Sequence, residues 1–497
     1  MQRGIAWLLI MCMLTLSLPA MAEETAFTMA GYDDASVGHV WETNLFFQRM
    51  EEKTGVHFTF EQSTSAEDWA KQKARLDAGE PFADVLFKAE LTPVETQRYH
   101  ENGTLIDLKP YIERCMPNLS ALLAAHPDWE AAITLPDGSI PALPTINTLQ
   151  SNNVMWINKT WLDALGLDMP TDVESLTEVL RAFKTRDPNR NGKQDEIPIS
   201  FMGMWDLRFL GHAFGLVSND YGIYLDADGQ VKTTLNAEKN REFLTWLNTL
   251  WNEKLIDHNG FTTSDSLRQV TDSNATMTYG LFFAPSPLSL IPSSALSQYE
   301  MLIPLTFEGK QVYRDLLGDV VRGSFAVTSA CDDPETVLRW VDYLYSEEGS
   351  MLAQAGMEGV EYTRNSDGTW YWVDSIETVA NNVLADAVIA DGSNTPGYFP
   401  AELQVAYDNS DTHRLISSLN ALRAYTVQPY PLVYLTEEAQ ERVNAIQLEL
   451  GAYAETTMLR FVTGDIALTD ENWDAYVNKL DDLGLQEMID IWQSALQ

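Results

Sequence analysis

Val56-His57-Phe58-Thr59-Phe60 decides the fold of this chain, because it reads as a strand set between two helices. Gly55, directly before it, ends a helix predicted over 41–53, in which Leu45, Phe46 and Met50 recur near helical spacing. Further upstream, Ala26-Phe27-Thr28-Met29 reads as a short strand, followed by a polar loop over 31–38 with Asp33 and Asp34. Downstream, a helix over 69–78 is stopped by Gly79, and Ala83-Asp84-Val85-Leu86-Phe87 is a third strand. Strand, helix, strand, helix, strand with short connections means a parallel α/β sheet. Ligands of such sheets bind beyond the carboxyl ends of the strands, which singles out the loops 32–41 and 88–90.

A chain of 497 residues exceeds one usual hydrophobic core, so two lobes are expected. Hydrophobic content of 45% with 10% aromatics is that of a folded protein. The formal net charge is −40, and removing a leader that carries Arg3 takes it from −40 to −41. Such a surface repels nucleic acid and anionic headgroups, and holds calcium comfortably. It also argues against a polyanionic ligand, unless a local basic pocket overrides it. Residues 1–22 read as a signal peptide: Arg3, an apolar run over 5–18, Pro19, then Ala20-Met21-Ala22 before Glu23. Cys12 is not read as a lipidation site, because Met11 is too large for that cleavage and the cysteine comes too early in the run. No later segment is long and apolar enough to span a membrane. The export compartment permits a disulfide between Cys115 and Cys331, and two separate buried thiols are the competing reading.

Beyond the first strands, 133–143 reads as a hairpin turned at Pro136-Asp137-Gly138, and 147–157 crosses into new territory. Thr171-Asp172-Val173-Glu174 reads as a capping box for a helix whose face is Val173, Leu176, Leu180 and Phe183. That helix runs into Asp187-Pro188-Asn189-Arg190-Asn191-Gly192-Lys193-Gln194-Asp195-Glu196. Alternate oxygen-bearing residues with glycine at the sixth position follow the logic of an EF-hand-type calcium loop. Asp187, Asn189, Asn191, Asp195 and Glu196 would give side-chain oxygens and Lys193 its backbone carbonyl. Pro198 stands where the usual twelfth-position acid would be, and Asp195 with Glu196 closes the shell instead. With no His, Cys or activated nucleophile in the loop, the calcium is expected to be structural. A metal-free polar turn is the competing reading. Helices are further predicted over 236–251, from Asp333-Pro334-Glu335 onward, and over 436–461, with strands at 279–283 and 324–327.

Four stretches together resemble the extracellular solute-binding proteins of ABC importers, in the lipoprotein-like branch that includes alginate-oligosaccharide binders. They are Trp161-Leu162-Asp163-Ala164-Leu165-Gly166-Leu167 with Pro170-Thr171, and the loop 187–198. The others are Asp333-Pro334-Glu335 with 344–346 and Gly356-Met357-Glu358-Gly359-Val360-Glu361-Tyr362, and 461–464 with Trp473-Asp474-Ala475-Tyr476-Val477. The resemblance implies a two-lobed periplasmic-binding-protein-like fold (type II) with an interlobe ligand cleft, hinge crossings and a structural calcium. It implies a monomer that captures a small solute, an oligosaccharide first of all, and delivers it to ABC permease membrane subunits. The protein would be periplasmic or at the cell surface. The branch is often lipid-anchored through a cysteine just after the signal, and this chain has none there. The lobes are expected as 23–146 plus about 318–380, and 147–317 plus about 381–497, the second carrying the calcium loop.

Sugar binders stack aromatic rings on pyranose faces and set Asp, Asn and Arg on the hydroxyls. Aromatics in loops after strands are favoured: Trp41, Trp205 with Asp206 beside it, and Phe283, then Tyr398 and Phe399. Core packing is the competing reading for each ring. Arg322, between Asp319 and Gly323 in the chain, is a further candidate, with a surface ion pair as its competing reading. A secreted carbohydrate-active enzyme would need paired carboxylates across a cleft, and with 72 Asp and Glu any such pair is unspecific. No G-x-S-x-G, H-E-x-x-H or glycine-rich phosphate loop occurs. A calcium-dependent adhesion protein would show repeats, which are absent, and peptide cargo in the same fold stays open.

Overall fold

The computed structural model describes residues 25–149, 153–315, 319–373, 382–390, 394–405 and 410–496. The leader expected over 1–22 lies outside them.

Two sheets with separate cores organise the chain. The first is ordered Gly397–Phe399, Ala142–Asn147, Val320–Val327, Val85–Phe87, Thr25–Tyr32, Val56–Ser63. Thr25–Tyr32 pairs in parallel with both Val56–Ser63 and Val85–Phe87, and the helices Leu45–Thr54 and Ala66–Asp77 make the crossovers. This is the arrangement expected from the sequence. Gly55 closes Leu45–Thr54 in the left-handed region at φ 72°. Gly31 is needed for close strand contact, since a Cβ there would lie 1.7 Å from the Phe87 carbonyl oxygen. The sheet is mixed, however, because Val320–Val327 runs antiparallel to both of its neighbours.

Two local expectations are corrected. Residues 133–143 do not form a hairpin: Pro127–Ile133 is a helix and 135–139 a tight turn. Ala142–Asn147 pairs instead with the distant Val320–Val327. Every residue of Ala142–Asn147 is buried, which a local hairpin on the surface could not provide. The helix Val173–Thr185 is capped one residue later than expected. Asp172 accepts from the Ser175 N–H at 2.8 Å, and the Asp172 N–H donates back to Ser175 Oγ at 3.1 Å. Its face of Leu176, Leu180 and Phe183 is buried as expected.

The second sheet is ordered Tyr299–Met301, Val154–Asn158, Tyr279–Ala284, Ile197–Ser200. Glu238–Asn252 and the C-terminal helices Glu437–Thr463, Asp470–Asp482 and Leu485–Ser494 pack on its core. The core around the first sheet takes residues from Phe27 to Ile146 and from Val320 to Phe399, and the second core those from Val154 to Tyr313 and from Leu422 to Trp492. The division expected near 381 therefore moves beyond 399, because Gly397–Phe399 adds a strand beside Ala142–Asn147. Where the chain leaves and re-enters the second core, Tyr313–Arg314 and Thr426–Val427 run side by side as a parallel ladder. Glu437–Thr463 also packs against Pro93–Glu101 of the first body. Cys115 and Cys331 are buried free thiols. Among the described residues no helix is long and apolar enough to cross a membrane.

Candidate functional site

Asp206 roots the site. It lies buried in the helix Gly203–Leu207 and accepts from the Met202 N–H at 2.7 Å, Asn153 Nδ2 at 2.8 Å and Arg268 Nη1 at 3.3 Å. Burial pushes its carboxyl up to about 6, against the pull of the Met202 N–H and the Arg268 charge. Expected as a ligand contact, Asp206 is instead the anchor of this short helix, because its oxygens are taken by the protein. Its neighbour Trp205 is turned outward and is 43% exposed. Arg208 lays its guanidinium over the Trp205 ring, 3.3 Å from the centroid.

Trp205 and Arg208 border a cavity of about 680 Å³, together with Tyr221, Leu448, Glu455 and Met458. Arg208 Nη1 and Arg314 Nη1 both donate to Asp220 Oδ1, each at 3.1 Å. Burial and the Arg314 charge push Arg208 down to about 10, against Asp220. Against its own burial, Arg314 and Arg208 hold the Asp220 carboxyl below the usual range. His212 lies behind this pair, buried, with Nδ1 unpartnered. Burial, then the charges of Arg208 and Arg314, press its imidazole down to about 3, so it is neutral. A smaller cavity of about 220 Å³ shares Asn219, Asp220 and Tyr221 with the first and reaches Arg314, Arg322 and Tyr430. Arg322 donates to the Val433 carbonyl at 3.0 Å and lies 4.6 Å from the Tyr434 ring centroid. The two cavities share that wall, and the smaller one reaches a strand of the first sheet at Arg322.

The other expected contacts lie elsewhere. Trp41 is fully buried against Phe47, Phe60 and Phe87, and its Nε1 donates to Asp33 at 3.0 Å. Asp33 also receives Lys88 Nζ at 2.7 Å and meets His39 Nδ1 at 2.8 Å, all three groups being buried. Loops 32–41 and 88–90 are therefore fastened to each other by a buried ion pair. Phe283 and Phe399 are core residues of the second and first bodies, and Tyr398 is half-buried beside Trp129. Sequence reasoning missed Arg208, Asp220 and Tyr221. Only Arg208 carried a signal, since three residues after Trp205 it falls on the same helical face.

The loop 187–196 is tightly wound. Asp187 accepts from the Asn191 and Gly192 N–H groups, both at 3.1 Å, and Asn191 Oδ1 accepts from the Lys193 N–H at 2.8 Å. Asn189 and Asn191 donate to Asp195 at 3.2 and 3.0 Å. Gly192 turns the chain at φ 74°. Glu196 is 2% exposed and its Oε1 has no hydrogen-bond partner. Burial, with the charges of Asp195 and Asp187, raises its pKa. Among the described residues no three His, Cys, Asp or Glu side chains converge as a ready cage. The donor set is instead mixed, with carboxylates, asparagine amides and the expected Lys193 carbonyl. Those are hard oxygens of the kind calcium takes, and a buried, unpartnered carboxylate oxygen beside like charges fits a cation.

Two bodies on separate sheets, joined by several crossings with a cavity reaching from one to the other, define a two-lobed binding protein. The chain belongs to the bacterial extracellular solute-binding protein family, which it matches over residues 38–351. It is 28% identical over 472 residues to the fructooligosaccharide ABC transporter substrate-binding protein FusA of Streptococcus pneumoniae serotype 4, covering 90% of this chain and 86% of FusA. It is 22% identical over 360 residues to the polygalacturonan/rhamnogalacturonan-binding protein YtcQ of Bacillus subtilis, covering 69% of this chain and 67% of YtcQ. The fold matches that of FusA in complex with kestose, with TM-score 0.74, 24% identity and coverage of 95% and 98%. It matches an HMO-binding solute-binding protein from Bifidobacterium longum infantis with TM-score 0.79, 24% identity and the same coverage.

Proposed function

We propose that this protein is the solute-binding component of an ABC importer and that its cargo is an oligosaccharide held at Trp205. The observation that carries the reading is one exposed tryptophan, backed on one side by Arg208, at the edge of a cavity of about 680 Å³. Such a plate suits the apolar face of a pyranose or furanose ring. FusA and YtcQ, both named as glycan-binding proteins, support the cargo class. Arg208 and Tyr221 join Trp205 as proposed contacts, and Arg322 lines the smaller neighbouring cavity. The two bodies are the lobes, and a solute touching both draws them together for delivery to permease subunits. The protein would do this in a periplasm or at a cell surface, and without turnover of the glycan.

The loop 187–196 is proposed to hold a structural calcium through Asp187, Asn189, Asn191, the Lys193 carbonyl, Asp195 and Glu196. The unpartnered Glu196 oxygen supports it, as does a FusA structure described as an EF-hand mutant. When bound, the ion supplies charge balance for the three carboxylates and fixes the turn between the helix Val173–Thr185 and the strand Ile197–Ser200. The test is a thermal-shift screen of the exported chain, with calcium, against oligosaccharides and peptides. A shift with one glycan class and no product on incubation is expected. A shift with peptides alone overturns the cargo, and turnover of a hit overturns the transport reading.

A further inference from the structure

If the cavity beside Trp205 is the solute site, as proposed above, its walls also decide the charge of the cargo. A chain at −40 disfavours an anionic ligand unless a local basic pocket overrides the global field. Arginines are present, but they do not make such a pocket. Arg208, Arg314 and Arg322 line the two neighbouring cavities, and so do Asp220, Asp315 and Glu455. Three cations meet three anions. Each guanidinium is also engaged. Arg208 and Arg314 share Asp220 Oδ1, Arg208 lies over Trp205, and Arg322 is held by the Val433 carbonyl and the Tyr434 ring. A ligand carboxylate here would lie near Asp220 or Glu455.

The lining therefore holds no excess of positive charge to offset the −40 of the chain for an anionic sugar. We infer that the cargo is a neutral, hydroxyl-bearing oligosaccharide and that uronic-acid and sulfated glycans are rejected on charge.

The test is calorimetric titration of the calcium-loaded chain with a panel in three sets. These are neutral di- to pentasaccharides, uronate oligomers of the same lengths, and the same uronate oligomers after carboxyl reduction to neutral sugars. Trp205→Ala and Trp205→Phe are titrated with every hit. Hits are expected in the neutral sets, with any reduced oligomer binding about tenfold or more tighter than its acidic parent. Their affinity should change less than about twofold between low and high salt, since no ion pair forms. An acidic parent that binds as well as its reduced partner, and weakens with salt, overturns the inference. If that binding is lost in Trp205→Ala, the site reading stands and only the neutral cargo falls. If no glycan of either charge binds, the oligosaccharide reading itself fails and the inference goes with it.

Discussion

Replacing Trp205 with alanine tests the site most directly. The side chain is 43% exposed, and on a tryptophan of about 250 Å² that leaves about 100 Å² for a ligand to cover. At about 25 cal/mol per Å² the covered area is worth about 2.5 kcal/mol. A sugar ring does not cover all of it, so a loss of about 2 kcal/mol is expected, or about thirtyfold in Kd. The fold should tolerate the change, because the helix is held by Asp206 and not by Trp205. The stack of Arg208 on the ring, worth about 0.5–1 kcal/mol at a partly exposed site, and an edge contact with Phe209 at 6.3 Å between centroids are lost. Trp205→Phe keeps a smaller plate and should fall between the two. The assay is calorimetric titration with the best oligosaccharide from the screen, alongside a melting curve. A Kd within about twofold of wild type in a folded Trp205→Ala protein would refute the reasoning, since about 100 Å² of lost contact must register.

Three further outcomes are expected. Asp187→Ala should abolish the rise in melting temperature with calcium, which at a hundredfold excess over Kd amounts to about 2.7 kcal/mol in wild type. An equal shift in both proteins would count against the loop. His212 is held far below its ordinary range by burial, Arg208 and Arg314, so its contribution to stability is full above about pH 6.5 and drains as pH falls towards 3, by up to about 5 kcal/mol. Urea midpoints from pH 7 to 4 should therefore fall less steeply in His212→Phe than in wild type, and parallel slopes would sink the assignment. Asp206 works in the opposite sense. Its raised folded value means a contribution present below about pH 4 and lost as pH rises through about 6, roughly 3 kcal/mol in all. Asp206→Asn should thus steepen the acid loss between pH 6 and 4, and an unchanged slope would show that the carboxyl does not titrate there.

What could be read from the sequence was whatever local chemistry enforces. The three parallel strands at the N-terminus followed from alternating apolar segments and two glycine stops, and their pairing agrees. The winding of 187–196 was legible for the same reason, since Asp, Asn and Gly at those spacings bond their own backbone. Long-range pairing was not. Ala142–Asn147 looked like half of a local hairpin because nothing in its own residues says that its partner is Val320–Val327. Nor do the residues of Gly397–Phe399 say that their partner is Ala142–Asn147. Aromatic residues were the weakest guide to the site. Trp41, Phe283 and Phe399 have the same composition signal as Trp205, and only burial separates them.

Asp206 and Trp205 show why that separation is physical. The carboxylate beside the tryptophan was expected to meet the ligand, yet it points inward to Met202, Asn153 and Arg268. On a helix, adjacent residues diverge by about 100°, so anchoring one side chain inside turns the next toward solvent. The buried acid is thus what presents the exposed ring. Arg208 then carries the geometry further, from that ring to Asp220, and Asp220 joins it to Arg314. Arg314 belongs to the ladder where the chain leaves the second core for the first sheet. One carboxylate oxygen therefore stands between the cavity wall and a crossing between the two bodies.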